Sequence, residues 1–148
     1  MILSFTSRFV PMVLDGSKRQ TIRAGSRWRA GMRADLYTGS YRKGERRLLF
    51  RAIVTCVEPI DMFCTEEGWK VRISGNILTD AEREQLFVRD GFWPNEDAEF
   101  DSSASYAAYL YFGPFFTGQV IRWDYERRFQ AAEDTCFHLS AWKARSTA

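Results

Sequence analysis

The chain has little of what metal and redox chemistry use. Its 148 residues include one histidine, His138, and three cysteines, Cys56, Cys64 and Cys136. A lone histidine excludes a multi-histidine metal centre, and cysteines this widely spaced form no Cys-x-x-Cys knuckle. The expectation is therefore no metal and no cofactor, with His138 a surface or packing residue. Sparse, odd-numbered cysteines point to a reducing, cytoplasmic setting. Cys56 lies in an apolar run and reads as a small core residue. No run of 18 apolar residues occurs, so no membrane partner is expected. Met1-Ile2-Leu3-Ser4-Phe5 lacks a basic flank and a long apolar stretch, so it reads as a first strand rather than a leader.

A strong net charge is also missing. The formal balance is +2, which argues against tight non-specific binding to duplex nucleic acid. The distribution is less even. Residues 1–60 hold 12 Lys/Arg against 4 Asp/Glu, a net of +8, and residues 61–148 hold 9 against 15, a net of −6. Such asymmetry fits a basic face that meets phosphates, and equally two halves that pair in the fold. Hydrophobic residues at 45% and aromatics at 16% make the chain globular, long enough for a core without staples and short enough for one domain.

Local patterns place the elements. Ser7 to Asp15 has helical apolar spacing, with Ser7 as the expected N-cap, Gly16 as the stop and Pro11 tolerable only in the first turn. Arg33 to Thr38 reads as a strand, and Gly39 to Arg47, with two glycines and four cations, as an exposed hairpin loop. Leu48 to Val57 is an apolar, partly alternating strand, continuing past Pro59 to Met62. Trp69 to Ile73 alternates and ends at Gly75-Asn76. Thr79-Asp80-Ala81-Glu82 is a capping box that opens a helix to Asp90, with Ala81, Leu86 and Phe87 inward and Gly91 as the left-handed stop. Phe92-Trp93-Pro94 ends it, and Asn95 to Asp101 is an acidic, exposed stretch. Ser102 to Phe112 predicts a second helix whose stripe Tyr106, Tyr109, Leu110 and Phe112 faces the core. Gln119 to Tyr125 is the last strand. Beyond it, Phe137, Leu139 and Trp142 predict that the C-terminal segment docks on the domain. Scattered strands, with helices after the first and before the last, suggest an α+β fold built on a small mixed β-barrel.

One stretch carries chemistry. Ser17-Lys18-Arg19-Gln20-Thr21-Ile22-Arg23 gathers three cations, an amide and two hydroxyls around one apolar side chain, beside the Asp15-Gly16 turn signal. In an extended strand, Thr21 and Arg23 share one face, and Gln20 and Ile22 the other. Ile22 then anchors the strand while Lys18, Thr21 and Arg23 face a groove suited to an anionic or carbonyl ligand. A solvated basic strand is the competing reading. Like charges on Arg19 and Arg23, with partial burial, disfavour protonation of Lys18 and make it a candidate base or nucleophile. Thr21 is the hydroxyl within its reach, and Asp90 the carboxylate to return a proton. Glu82 and Glu84 are poorer choices in the first, exposed turns of their helix. Trp28, between Arg27 and Arg29, has two readings: a base-stacking indole flanked by phosphate contacts, or a lid packed on the end of the barrel.

Phe9, Leu14-Asp15-Gly16-Ser17-Lys18 and Thr21-Ile22-Arg23 resemble the G-x-K-x-x-T-I-R signature of ASCH domains. Tyr37-Thr38-Gly39, Asp90-Gly91-Phe92 and Val120-Ile121-Arg122-Trp123 extend the resemblance in order, over residues 1–124, leaving 125–148 as a C-terminal extension. The resemblance implies a PUA-like β-barrel with flanking helices. It implies RNA or a modified nucleobase as ligand, bound around Lys18, Arg19, Thr21, Arg23, Arg27, Trp28 and Arg29. The alternative it implies is an amidohydrolase that removes the acetyl group from a modified cytosine nucleoside, with Lys18, Thr21 and Asp90 on the family's lysine, threonine and glutamate positions. Asp90 is one methylene shorter than that glutamate. Ribonuclease activity is a further alternative.

Overall fold

A computed structural model describes residues 1–39, 42–92 and 101–125. The fold is α+β. In chain order it comprises β1 (Ile2–Phe5), a 3-10 turn (Ser7–Phe9), α1 (Val10–Leu14), β2 (Gln20–Ala24), β3 (Arg33–Thr38), β4 (Arg47–Thr65), β5 (Gly68–Ile73) and β6 (Asn76–Ile77). Then come α2 (Asp80–Asp90), α3 (Ala104–Phe112) and β7 (Phe116–Tyr125). The seven strands form one mixed sheet in the order β1-β3-β4-β5-β6, with β7 pairing β4 and β2. Among the described residues this path does not close on itself. β1 runs parallel to β3, and β3, β4, β5 and β6 are successively antiparallel. Among the described residues no helix is long and apolar enough to cross a membrane. The expected docking of the C-terminal segment, and His138 and Cys136, lie outside the described residues.

The chain divides into two compact units. The described part of the first holds Met1–Thr21, Arg27–Val57 and the start of the Ile121–Phe137 segment. Its core joins Leu3 and Phe5 of β1, Val13 of α1, Trp28, alternate residues of β3 and β4, and Ile121, Trp123 and Tyr125 of β7. The period-two rule explains the sheet: Leu3 and Phe5, Ala34 and Leu36, and Ala52 and Val54 are buried, while the residues between them are more exposed. A bulge between Leu36 and Tyr37 shifts the β3–β4 register, so Tyr37 faces Leu48.

The described part of the second unit lies within Ile22–Ser26 and Glu58–Val120. Aromatic rings pack around α2: Trp69 of β5 stacks on Phe87 at 5.6 Å, and Phe87 meets Phe92 edge-on at 5.9 Å. The capping box forms as the sequence predicts. Thr79 accepts from the Glu82 backbone, Glu82 from the Thr79 backbone, and Gly91 closes the helix at φ 102°. Glu84 tethers the two helices by accepting from the Ala104 and Ser105 backbones at 2.6 and 2.9 Å.

Several details depart from the sequence expectations. Ser7 is the first residue of the 3-10 turn rather than an N-cap, and α1 begins only at Val10 with Pro11 in its first turn. β4 extends to 19 residues and changes partner, pairing β3 through Arg47–Ile53 and β5 through Ile60–Thr65. Pro59, which has no N–H to donate, lies between these ladders. Ala81 is exposed, and the buried face of α2 is Glu82, Leu86, Phe87 and Asp90. α3 buries Ala104, Ser105 and Ala108 and exposes Leu110. Small residues on that buried face let helix backbones approach, so the expected large-residue stripe is not the one the fold buries.

Candidate functional site

The turn after α1 sets the backbone of the motif. Gly16 takes φ 78°, Asp15 accepts from the Ser17 backbone at 2.8 Å, and the Lys18 N–H donates to Met12 O at 3.0 Å. The Tyr125 hydroxyl donates to Lys18 O, fixing the residue from the closing strand. The side chain is 3% exposed. Its Nζ lies 4.6 Å from the centre of the Phe9 ring and 5.7 Å from that of Phe5. Rings at those distances offer their negative faces to the ammonium and offset part of its lost hydration.

Gln20 and Thr21 are also buried, at 4% and 5% exposure. Ile22 is buried as the expected anchor at 6%. Burial of all three consecutive residues means that both faces of β2 are covered there, where the sequence predicted one apolar face and one open groove. Arg19 is partly exposed and pairs with buried Asp124 at 3.6 Å. Asp124 gave no motif signal; its position two residues after Arg122 in an apolar strand is its only trace in the sequence.

Trp28 is 2% exposed and belongs to the core of the first unit. Core side chains pack around it. Arg27 and Arg29 are exposed on either side, and Arg29 turns back to donate to Trp28 O at 2.8 Å.

Arg23 and Asp90 belong to the second unit. Burial pulls the Arg23 guanidinium below its ordinary pKa, while nearby Tyr111 and Asp90 act to raise it. Asp90 is 5% exposed in the last turn of α2. A carboxylate at a helix C-terminus meets the negative end of the dipole, so a neighbouring guanidinium is its natural counter-charge. The sequence did not single out Tyr111, which is 73% exposed. Glu82, expected to be exposed, is 7% exposed because its carboxylate turns back on the Thr79 N–H.

The motif residues thus fall in two sets. Lys18, Arg19, Gln20, Thr21, Arg27, Trp28 and Arg29 lie in the first unit, and Arg23 and Asp90 in the second. A separate cleft of about 420 Å³ in the second unit is lined by Trp69, Tyr106, Tyr109 and Arg83, among others, and by none of the motif residues. Arg83 is committed there to Trp69 O, Ser105 and Asp80. Among the described residues no three His, Cys, Asp or Glu side chains gather as a metal site. Compared with known protein families, curated proteins and solved structures, the chain matches none.

Proposed function

We propose that the chain is a cytoplasmic ASCH-type domain of the PUA-like barrel class that binds a modified nucleobase, free or within RNA, around the Lys18–Arg23 motif. The observation that carries this reading is the burial of Lys18, Gln20 and Thr21, three polar side chains within four residues. Burying an ammonium is costly unless its surroundings compensate, and aromatic faces compensate only in part. Such clusters concentrate at functional sites. Lys18 supplies a cation for a base carbonyl, Gln20 an amide that both donates and accepts, and Thr21 a hydroxyl. Together these match the mixed edge of a pyrimidine. The near-complete burial favours recognition of one base over an open groove around these three residues. Exposed Arg27 and Arg29 serve the phosphates. The free thiols of buried Cys56 and exposed Cys64 fit a reducing compartment.

The second reading, amide hydrolysis on an acetylated cytosine nucleoside, is favoured by the burial of Lys18 and Thr21 together, an amine and a hydroxyl three residues apart and held away from bulk water. In it Lys18 takes the proton of the Thr21 hydroxyl as that oxygen attacks the acetyl carbonyl. The C–N bond breaks and the cytosine amine leaves with a returned proton, a carboxylate role the resemblance gives to Asp90. Water then hydrolyses the threonine ester to release acetate. Incubation with acetylcytidine, following cytidine release and binding together, separates the two. Binding without release, lost in Lys18→Ala, supports the base-binding module. Release by the parent but not by Lys18→Ala establishes the hydrolase. Neither binding nor release of cytosine nucleosides or their RNA overturns both.

A further inference from the structure

The cleft of the second unit shares no residue with the Lys18–Arg23 motif, and its walls are aromatic. Tyr106 and Tyr109, three residues apart on α3, share a helix face. Their rings lie 6.4 Å apart and nearly parallel, and Tyr109 meets Trp69 edge-on at 5.5 Å. Phe87 covers one face of Trp69, so the half-buried tyrosine rings are the open ones. The indole N–H of Trp69 is buried and has no acceptor among the described residues. A buried donor is costly until a partner reaches it.

The charges are unequal. Glu67, Asp80 and Asp101 line the cleft against Lys70 and Arg83, three carboxylates to two cations. Each Arg83 nitrogen already contacts the protein: Nε reaches Ser105 Oγ at 3.3 Å, Nη1 reaches Trp69 O at 2.7 Å, and Nη2 lies 3.5 Å from Asp80. Beyond that pair, Glu67 and Asp101 exceed Lys70 by one negative charge. The Ser103 backbone and side chain lower the Asp101 pKa, which keeps that carboxylate ionised.

We propose that this cleft binds an organic cation: an alkylammonium on a body that carries an amide carbonyl, as in a free lysine derivative or the lysine of a peptide. Three features select that chemistry. The carboxylate excess attracts an ammonium and repels phosphates. The tyrosine rings offer negative faces to the ammonium and apolar surface to its methylene stem. The Trp69 N–H needs an acceptor, which a simple amine lacks and an amide carbonyl supplies. A cleft of about 420 Å³ admits a molecule of this size. The ligand is a second one, bound independently of whatever the motif binds.

The test uses the full chain and follows its five tryptophan indole N–H signals by NMR, with Trp69 assigned by its loss in Trp69→Phe. The probe is Nα-acetyl-lysine amide. Its controls are Nα-acetyl-norleucine amide, which lacks the ammonium, and Nα-acetyl-glutamate amide, which reverses the charge. In the parent the lysine derivative moves the Trp69 signal saturably and binds at least tenfold tighter than either control. Pentane-1,5-diamine, with no carbonyl, binds more weakly. In the double variant Glu67→Gln/Asp101→Asn, affinity for the lysine derivative falls at least fivefold and that for the norleucine derivative is unchanged. Lys70→Gln tightens binding of the lysine derivative several-fold, a gain that unfolding does not produce. A Trp69 signal that stays in place overturns the proposal. So does a norleucine or glutamate derivative that binds as tightly as the lysine one, or equal affinity in parent and double variant. Given the expected result, an acetylated Ala-Lys-Ala amide that binds tighter than the single residue assigns the site to a peptide, and one that binds more weakly assigns it to the free small molecule.

Discussion

The ammonium of Lys18 sits 4.6 Å from the centre of the Phe9 ring, on a side chain that is 3% exposed. Taking this ammonium out of water has a cost that the aromatic faces offset in part.

Lys18→Met, which keeps the length of the stem and adapts to aromatic surroundings, is expected to leave the chain folded with a cooperative thermal transition. Nucleobase binding is expected to fall at least tenfold. Thermal unfolding and a tryptophan-fluorescence titration check both halves. A large drop in melting temperature with binding retained assigns Lys18 to structure instead.

Thr79→Ala removes one half of the reciprocal cap, in which Thr79 accepts from the Glu82 N–H at 3.2 Å. The expected cost is about 1 kcal/mol in denaturant unfolding. Nucleobase binding is expected to remain at the parent's level, which also tests that buried Glu82 serves the helix and not the ligand.

Gly118 leaves no room for a side chain. A Cβ there overlaps Arg23 O and comes within 2.8 Å of Phe116 Cε1. Gly118→Ala forces β7 and the Arg23 backbone to shift, at an expected cost of about 1–3 kcal/mol. Urea unfolding measures it, and wild-type stability would show that the strands have slack.

Asp101 tests the acid limb of stability. The Ser103 backbone and side chain hold its carboxyl below the ordinary value of 3.8. A depressed carboxyl contributes stability above its unfolded value, and that contribution disappears as the pH falls through the lower folded value. NMR titration is expected to place the Asp101 midpoint below 3.8, and Ser103→Ala to move it upward. The effect on global stability is small because the group is exposed to solvent.

The legible parts of the fold were those set by neighbours in sequence. The strand Arg33–Thr38 has the bounds its pattern predicts, and α2 starts at its capping box and stops at Gly91. Ile22 is buried as an anchor, and Lys18 and Thr21 stand out by residue type before any geometry is known. The less legible parts were matters of facing. Leu110 carries the signal of a core residue and is 66% exposed, while Ala104 and Ala108 beside it are fully buried. Trp28 sits between two arginines in sequence, yet it completes a core with residues from Leu3 to Tyr125.

The sequence by itself determined where backbone turns, caps and strands begin and end, because those depend on hydrogen bonds and dihedral preferences spanning a few residues. It also determined that the first 60 residues are basic. Only the tertiary structure decided that Lys18, Gln20 and Thr21 are buried together, that Trp28 belongs to the core, and that Trp69, Tyr106 and Tyr109 line one cleft. Burial and facing arise from interactions between residues far apart in the chain, and packing against those distant partners, not local propensity, selects which side chains meet water.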